Sequence, residues 1–166
     1  VGLDPEPSRF PQGVSRDAEG IYDFCLRIVE ATADLVLAFK PQIAYFAAHR
    51  AETQLERLIE HIHRVAPRVP VILDVKRGDI GSTAAQYARE AFERYGADAA
   101  TLSPFMGLDS IEPWLAYGDK GLFLLCRTSN PGGSDFQNLD VGGMPLYLKV
   151  AETIARHWNS HGNCAL

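Results

Sequence analysis

Three features that would assign this chain quickly to a class of protein are missing from it. The sequence has no cluster of lysines or arginines beyond a couple of residues and a net charge of -5, so the positive surface of a nucleic-acid-binding protein is not expected. No apolar run approaches the roughly 18 residues that span a bilayer, and the first residues lack the basic segment of a signal peptide. We therefore expect a cytoplasmic protein with no nucleic-acid or membrane partner.

Cysteine is also scarce in the sequence. Cys25, Cys126 and Cys164 are odd in number, widely spaced and set among apolar residues. This pattern is typical of reduced thiols in a core rather than of disulfides or a zinc site. The histidines are not arranged as metal ligands either, so we predict no metal site.

What is present is an alternation of apolar and amphipathic segments. The apolar segments, predicted to be strands that each end in polar residues, are 1–3, 34–39, 69–73, 97–102 and 121–126. Helical patterns lie between and after them, at residues 17–32, 47–65, 82–95, 109–117 and 145–158. Strands that alternate with helices through such short connections predict a parallel sheet with helices outside it, either doubly wound or closed into a barrel.

The (β/α)8 TIM barrel is the favoured form of this α/β fold. Polar groups follow every strand, as in barrel enzymes, and no G-x-G-x-x-G or Walker A sequence supports a nucleotide-binding doubly wound sheet. A complete barrel usually needs about 250 residues, whereas this chain has 166. We therefore expect residues 1–166 to form a single partial barrel domain with strands 1–5 and, at residues 162–166, the start of strand 6.

The densest group of charges follows the third predicted strand. Asp74, Lys76 and Asp79 lie within D-V-K-R-G-D, and the period of two in a strand points Asp74 and Lys76 the same way. Gly78 is expected to let the backbone bend sharply before Asp79. Taken alone, the spacing D-x-K-x-x-D also fits a solvated turn with an incidental ion pair.

A second lysine is expected at the same place. Lys40 follows the second predicted strand, and Pro41, which cannot donate to a sheet ladder, is expected to mark the end of that strand. Parallel strands end on one face of a barrel, so Lys40 is predicted to lie with Asp74. Two lysines and two aspartates in alternation would keep one another ionised near neutral pH.

Three motifs give the chain a specific resemblance. F-K-P-Q occurs at residues 39–42, D-V-K-R-G-D-I-G-S-T at residues 74–83 and C-R-T-S-N-P-G-G at residues 126–133. In order and spacing these motifs resemble the bacterial subgroup of orotidine 5'-phosphate decarboxylases across essentially the whole chain. The resemblance implies a lyase that needs no cofactor and converts orotidine 5'-monophosphate to UMP and CO2 in de novo pyrimidine biosynthesis.

The resemblance also implies roles for individual residues. Lys40, Asp74, Lys76 and Asp79 match the family's catalytic tetrad, in which Lys76 is the proton donor. Asp4, in G-L-D-P, is similar to the family's ribose-binding aspartate after the first strand.

The remaining implied roles concern substrate binding and assembly. Ser129 matches the serine that contacts the amide edge of the pyrimidine, and residues 130–143 resemble the lid over the base. A loop of this length inside a compact unit is more often functional than idle, and a flexible connector is the alternative. Asp79 and Thr83 match residues that reach into the partner's site, so the resemblance implies a homodimer with shared active sites. Phosphate-binding residues are expected after Leu166, because barrel phosphate sites come from the loops after strands seven and eight.

Two other functions stay open on the sequence alone. Related barrels that share D-x-K-x-x-D hold Mg²⁺ through such aspartates and decarboxylate keto-sugar phosphates through an enolate. Lys40 and the S-N-P-G-G segment favour the cofactor-free enzyme. The chain is also open to interpretation as a non-catalytic barrel fragment, because it contains no candidate phosphate site.

Overall fold

The computed structural model describes all residues, 1–166. Its strands are β1 (Gly2–Leu3), β2 (Lys40–Pro41), β3 (Ile72–Arg77), β4 (Ala99–Leu102), β5 (Gly121–Leu124) and β6 (Cys164–Ala165). Its α-helices are α1 (Ala18–Thr32), α2 (Ile43–Ala47), α3 (Glu52–Val65), α4 (Gly81–Arg89), α5 (Glu112–Leu115), α6 (Ser134–Gln137) and α7 (Leu146–Thr153). This is the predicted α/β order, with five strand-and-helix units and the start of a sixth. No helix is both long and apolar enough to span a membrane.

The chain divides into two compact units, which are described separately. The first comprises Val1–Val75 and Arg89–Ala100, and the second comprises Lys76–Ala88 and Thr101–Leu166.

In the first unit the strand segments run parallel. β1 pairs with β2, with Gly2 opposite Lys40. Parallel bridges then join the β2 segment to the β3 segment, one of them between Gln42 and Asp74. The residues that follow β1, β2 and the first part of β3 therefore reach the same edge of the sheet.

The second predicted strand is wrong in position. Residues 34–39 were expected to be extended, but β2 is Lys40–Pro41, and the side chains of Leu35 and Leu37 are 77% and 94% exposed. The Leu35 N–H donates to the Thr32 carbonyl at 2.9 Å, so the chain leaves α1 through a turn instead of entering a strand. Only the end of the segment pairs, since the buried Phe39 forms a parallel bridge to Val71. The exposed leucines before it have no buried face that would stabilise a strand.

Pro41 is the last residue of β2, as predicted, although its lack of an N–H leaves the pairing of this strand with β1 intact. The N–H groups of Lys40 and Gln42 donate to the carbonyls of Val1 and Leu3, at 2.8 and 3.1 Å. Alternate residues of a parallel strand face opposite neighbours. The N–H that Pro41 lacks is therefore on the side of β3, and pairing with β1 is complete without it.

Two amphipathic helices supply the core of the first unit. Asp17 caps α1 by accepting a hydrogen bond from the Gly20 N–H at 2.9 Å. The buried positions recur at helical spacing, and each large aliphatic side chain among them contributes about 1.5–3 kcal/mol of transfer free energy. They are Ile21, Cys25 and Val29 in α1 and Leu55, Leu58, Ile59 and Ile62 in α3.

The predicted helix 47–65 is interrupted at its start. α2 ends at Ala47, Arg50 adopts a left-handed φ of 54°, and α3 begins at Glu52. The Ala51 N–H donates to the Phe46 carbonyl at 2.9 Å and closes this turn. The periodicity did not predict the break, because no glycine or proline marks it.

The second unit contains the ends of β3 and β4 together with β5 and β6. The Leu125 N–H donates to the Leu102 carbonyl at 2.9 Å, and β5 pairs in parallel with β6. The predicted helix 109–117 is reduced to a 3-10 turn, Leu108–Ser110, followed by α5. Pro113 explains this, because proline is tolerated in the first turn of a helix and not in its interior.

Candidate active site

Lys40 and Asp74 form an ion pair in the first unit. The Lys40 Nζ donates to Asp74 Oδ2 at 2.9 Å. Asp74 is only 5% exposed, whereas the Lys40 side chain is 41% exposed. A buried carboxylate needs a charged or hydrogen-bonded partner to stay ionised, and Lys40 supplies one. The structure thus brings together two of the predicted site residues that lie far apart in the sequence.

Asp4 lies at the same edge of the first unit. It follows β1 and is exposed, and it lines a cavity of about 480 Å³ together with Arg9, Phe10 and Tyr45. Burial raises the pKa of the Cys25 thiol to about 12, and the negative charge of Asp4 contributes to this rise. Asp4 is therefore a carboxylate beside an open cavity, where it is suitably placed to bind hydroxyl groups.

Lys76 has a strained backbone in the second unit. Its φ is 44°, in the left-handed region that residues other than glycine rarely adopt. Its N–H donates to the Thr101 Oγ1 at 3.0 Å, and the residue is exposed. The prediction that Asp74 and Lys76 point the same way assumed an extended backbone, so it does not apply at Lys76.

Gly78 is explained by a close approach of two backbones. The Ser103 N–H donates to the Arg77 carbonyl at 2.7 Å. A Cβ placed on Gly78 would lie 3.1 Å from the Ser103 Cβ and 3.4 Å from its carbonyl oxygen. Gly78 is not among the residues with positive φ. The close approach of Ser103, and not the predicted sharp bend, therefore favours a residue without a Cβ here.

Arg77 makes an aromatic contact with α4. Its guanidinium lies 4.3 Å from the centre of the Tyr87 ring of α4. Such a cation–π contact holds a planar cation over a ring face. It fixes Arg77 on α4, so the arginine of the motif has a structural partner of its own.

Asp79 lies just before α4, and Thr83 lies in its first turn. The half-buried Asp79 accepts a hydrogen bond at its Oδ1 from the Ile80 N–H at 2.8 Å. Thr83 is exposed in the first turn of α4. No hydrogen bond joins the Thr83 or Ser129 side chain to another predicted site residue of this chain.

The predicted lid is partly ordered by its own contacts. Residues Pro131–Gly133 form a 3-10 turn, and α6 follows. Gln137 accepts a hydrogen bond from the Thr128 N–H at 2.9 Å and donates one to the Thr128 Oγ1 at 2.9 Å. Gly133 fits between these side chains, since a Cβ there would lie 2.7 Å from the Thr128 Oγ1. Residues 128–137 thus form a loop that is closed by these hydrogen bonds, and Ser129 is exposed on it.

Sequence analysis missed two residues of this region. Thr101 and Tyr87 contact the D-V-K-R-G-D segment, through the Lys76 N–H and the Arg77 guanidinium. Thr101 did carry a signal, because it is a hydroxyl residue in the otherwise apolar β4. Tyr87 carried none, since an aromatic residue on a helix face is ordinarily assigned to the core.

The chain is similar to curated proteins of one family along its full length. Residues 1–162 match the family model described as Orotidine 5'-phosphate decarboxylase / HUMPS family. Orotidine 5'-phosphate decarboxylases of Azoarcus sp. and Polaromonas naphthalenivorans are 66% and 68% identical over the whole of this chain, which covers 62% and 60% of their lengths. The chain therefore spans about three fifths of the curated relatives that it matches.

Solved structures agree with these matches. OMP decarboxylase of Leishmania donovani aligns with a TM-score of 0.88 at 42% identity, over 99% of this chain and 62% of that chain. UMP synthase of the same organism aligns with a TM-score of 0.90 at 40% identity, over 99% of this chain and 35% of that chain. The predicted (β/α)8 fold is confirmed, and the barrel in this chain is incomplete. The chain belongs to the orotidine 5'-phosphate decarboxylase / HUMPS family.

Proposed function

We propose that the natural protein is an orotidine 5'-phosphate decarboxylase, which removes CO2 from orotidine 5'-monophosphate and forms UMP without a cofactor. Relatives that carry this name are 66–68% identical to the whole chain. The observation that carries the proposal is the Lys40–Asp74 ion pair at 2.9 Å, because it is a pair that the proposed catalytic tetrad requires. The reaction belongs to de novo pyrimidine biosynthesis.

The catalytic residues of this proposal are Lys40, Asp74, Lys76 and Asp79. Loss of CO2 from C6 of the pyrimidine leaves an electron pair on carbon with no conventional electron sink. A fixed ammonium beside C6 stabilises that charge electrostatically and then delivers a proton to the same carbon. Lys76 has this role, Asp74 and Asp79 are the carboxylates of the tetrad, and Lys40 pairs with Asp74.

Charge repulsion alone is too weak to drive the reaction. If Asp74 faces the substrate carboxylate at about 4 Å, the two charges repel by roughly 4 kcal/mol at an effective dielectric constant near 20. Enzymes lower barriers by about 8–23 kcal/mol. Most of the stabilisation must therefore come from preorganised charge and from binding energy of the remote phosphate, realised in the transition state.

Two exposed polar residues bind the substrate in this proposal. Asp4 binds the ribose hydroxyl groups, and Ser129 contacts the pyrimidine amide under a lid formed by residues 130–143. The exposure of Asp4 and Ser129 supports these roles, because neither side chain is used in the core.

We also propose a cytoplasmic homodimer in which Asp79 and Thr83 complete the partner's site. The exposed side chains after β4 support an interface, since Phe105 is 87% and Met106 is 46% exposed. Large apolar groups exposed together typically mark a contact with another protein.

A Mg²⁺-dependent decarboxylase of keto-sugar phosphates is the second candidate, because the D-x-K-x-x-D spacing of residues 74–79 also suits aspartates that hold Mg²⁺. The Lys40–Asp74 pair favours the first candidate. An ammonium 2.9 Å from Asp74 Oδ2 competes with a divalent cation for the same carboxylate. The third interpretation, a non-catalytic fragment, predicts that the 166 residues bind neither substrate nor product while a longer natural protein does.

The test follows the absorbance of orotidine 5'-monophosphate with the natural protein in a strong chelator. We expect decarboxylation that the chelator does not reduce. Lys76→Ala should abolish turnover and leave UMP binding measurable, whereas Lys149→Ala, on the exposed face of α7, should behave as wild type. Undiminished decarboxylation by Lys76→Ala would refute the role of Lys76, and activity that requires Mg²⁺ would favour the second candidate.

A further inference from the structure

The left-handed backbone of Lys76 sets the direction of its side chain. A lysine ammonium sits on a flexible chain of four carbons, so its reach is directed first by the Cα–Cβ bond. The φ of 44° at Lys76 sets that bond in a direction that an extended strand would not give. Such a conformation persists only where surrounding contacts over-determine it.

Hydrogen bonds to the end of β4 supply those contacts on both sides of Lys76. The Lys76 N–H donates to the Thr101 Oγ1 at 3.0 Å. On the other side of Lys76, the Arg77 carbonyl accepts a hydrogen bond from the Ser103 N–H at 2.7 Å. A side-chain hydroxyl takes the place of a main-chain acceptor at the residue where the backbone leaves the extended conformation.

We infer that Thr101 is a positioning residue for Lys76, and this inference rests on the function proposed above. The Thr101 hydroxyl holds the left-handed backbone of Lys76 and thereby aims the ammonium. Thr101 acts through the Lys76 N–H and need not touch the substrate. Without the hydroxyl, the Lys76 backbone relaxes toward the extended region and the ammonium moves away from its working position.

Packing alone does not require a hydroxyl at this position. Thr101 is 9% exposed, and its neighbours in β4 are alanine and leucine. Valine has the same branched shape and suits a buried strand at least as well. A purely structural role therefore predicts that Thr101→Val is harmless to catalysis, whereas the positioning role predicts a specific loss.

The experiment compares Thr101→Val with Thr101→Ser in the natural protein. Misplacement of a catalytic group by 1 Å costs up to about 100-fold in rate. We expect Thr101→Val to lower kcat by about 10- to 100-fold with KM nearly unchanged, and Thr101→Ser to stay within about 3-fold of wild type. Thr153→Val is the matched control, since the Thr153 hydroxyl donates only to the Lys149 carbonyl of its own helix.

A readout without activity separates this inference from the proposed function. The Lys76 amide should exchange with solvent faster in Thr101→Val than in wild type, while the Ser103 amide stays protected. If the wild-type protein does not decarboxylate orotidine 5'-monophosphate, the proposed function is wrong, and amide exchange alone decides whether Thr101 holds Lys76. If Thr101→Val does not fold, Thr101→Ser and Thr101→Ala form a second pair that differs in the hydroxyl. Equal kcat and equal Lys76 exchange with and without the hydroxyl would overturn the inference.

Discussion

Lys40 reaches from one strand to the buried Asp74 of the next and donates a hydrogen bond to it at 2.9 Å. The two residues are 34 positions apart in sequence, so the fold and not local structure brings them together. Asp74 is 5% exposed, and removal of its cationic partner leaves a buried carboxylate less well compensated.

Replacement of this lysine should therefore destabilise the fold as well as the site. We expect Lys40→Met to lower the free energy of unfolding by about 1–3 kcal/mol, below the cost of breaking a fully buried pair, because Lys40 is partly exposed. Urea denaturation of the natural protein measures the change. Lys149→Met, which removes an exposed lysine, is the control, and an equal effect of the two substitutions would contradict the argument.

The left-handed conformation of Lys76 predicts an unusual order of stability among its variants. Glycine adopts positive φ without steric cost, whereas an L-residue there costs about 1–2 kcal/mol. Lys76→Gly should accordingly be about 1 kcal/mol more stable than Lys76→Ala, the reverse of the usual order in a strand. The urea midpoints of the two variants measure this difference, provided that the unfolding free energy depends equally on urea concentration in both. A more stable alanine variant would show that Lys76 is not left-handed.

Gly20 in α1 should not tolerate alanine, although alanine ordinarily stabilises a helix. A Cβ on Gly20 would lie 1.9 Å from the Ser15 carbonyl oxygen, and the backbone atoms involved cannot yield cheaply. We expect Gly20→Ala to lower the unfolding free energy by about 1–3 kcal/mol or more. Gly118→Ala is the control, because its Cβ would meet the His161 ring at an ordinary 3.5 Å. Thermal unfolding of the two variants should separate them clearly.

Cys25 should resist alkylation in the folded protein. It is 0% exposed, and burial raises the pKa of its thiol to about 12. The thiolate is the nucleophile, so modification stays slow up to about pH 10 and rises only as the pH approaches the pKa. Iodoacetamide followed by peptide mass mapping should detect labelling of the half-exposed Cys126 well before that of Cys25. Equal rates in the folded state would contradict the burial of Cys25.

The sequence predicted the order of elements better than their local breaks. The five strand-and-helix units follow from apolar periodicity, and each polar strand end was found where a strand ends or close to it. The Arg50 turn and the displacement of β2 were not predicted, because each depends on tertiary contacts. The exposed Leu37 shows the limit of apolar periodicity as a predictor, since the segment 34–39 has the composition of a strand but does not form one.

The site was predicted in part. Lys40 and Asp74 were expected together because parallel strands share an edge, and their ion pair confirms this. The roles of Lys76, Asp79, Asp4, Thr83 and Ser129 came from resemblance and remain proposals. The left-handed backbone of Lys76 had no signal in the sequence, because its stabilisation comes from the Thr101 hydroxyl on another strand.

The two hydrogen bonds between Thr128 and Gln137 have a consequence for how this region tolerates evolutionary change. They close residues 128–137 into a hydrogen-bonded loop of fixed length, with Gly133 packed against the two side chains. An inserted or deleted residue within that loop would break both bonds, whereas the exposed turn around Gly142 and Gly143, where both φ angles are positive, has room for extra residues. We therefore expect homologous chains to differ in length after Gln137 and to keep the number of residues between Thr128 and Gln137.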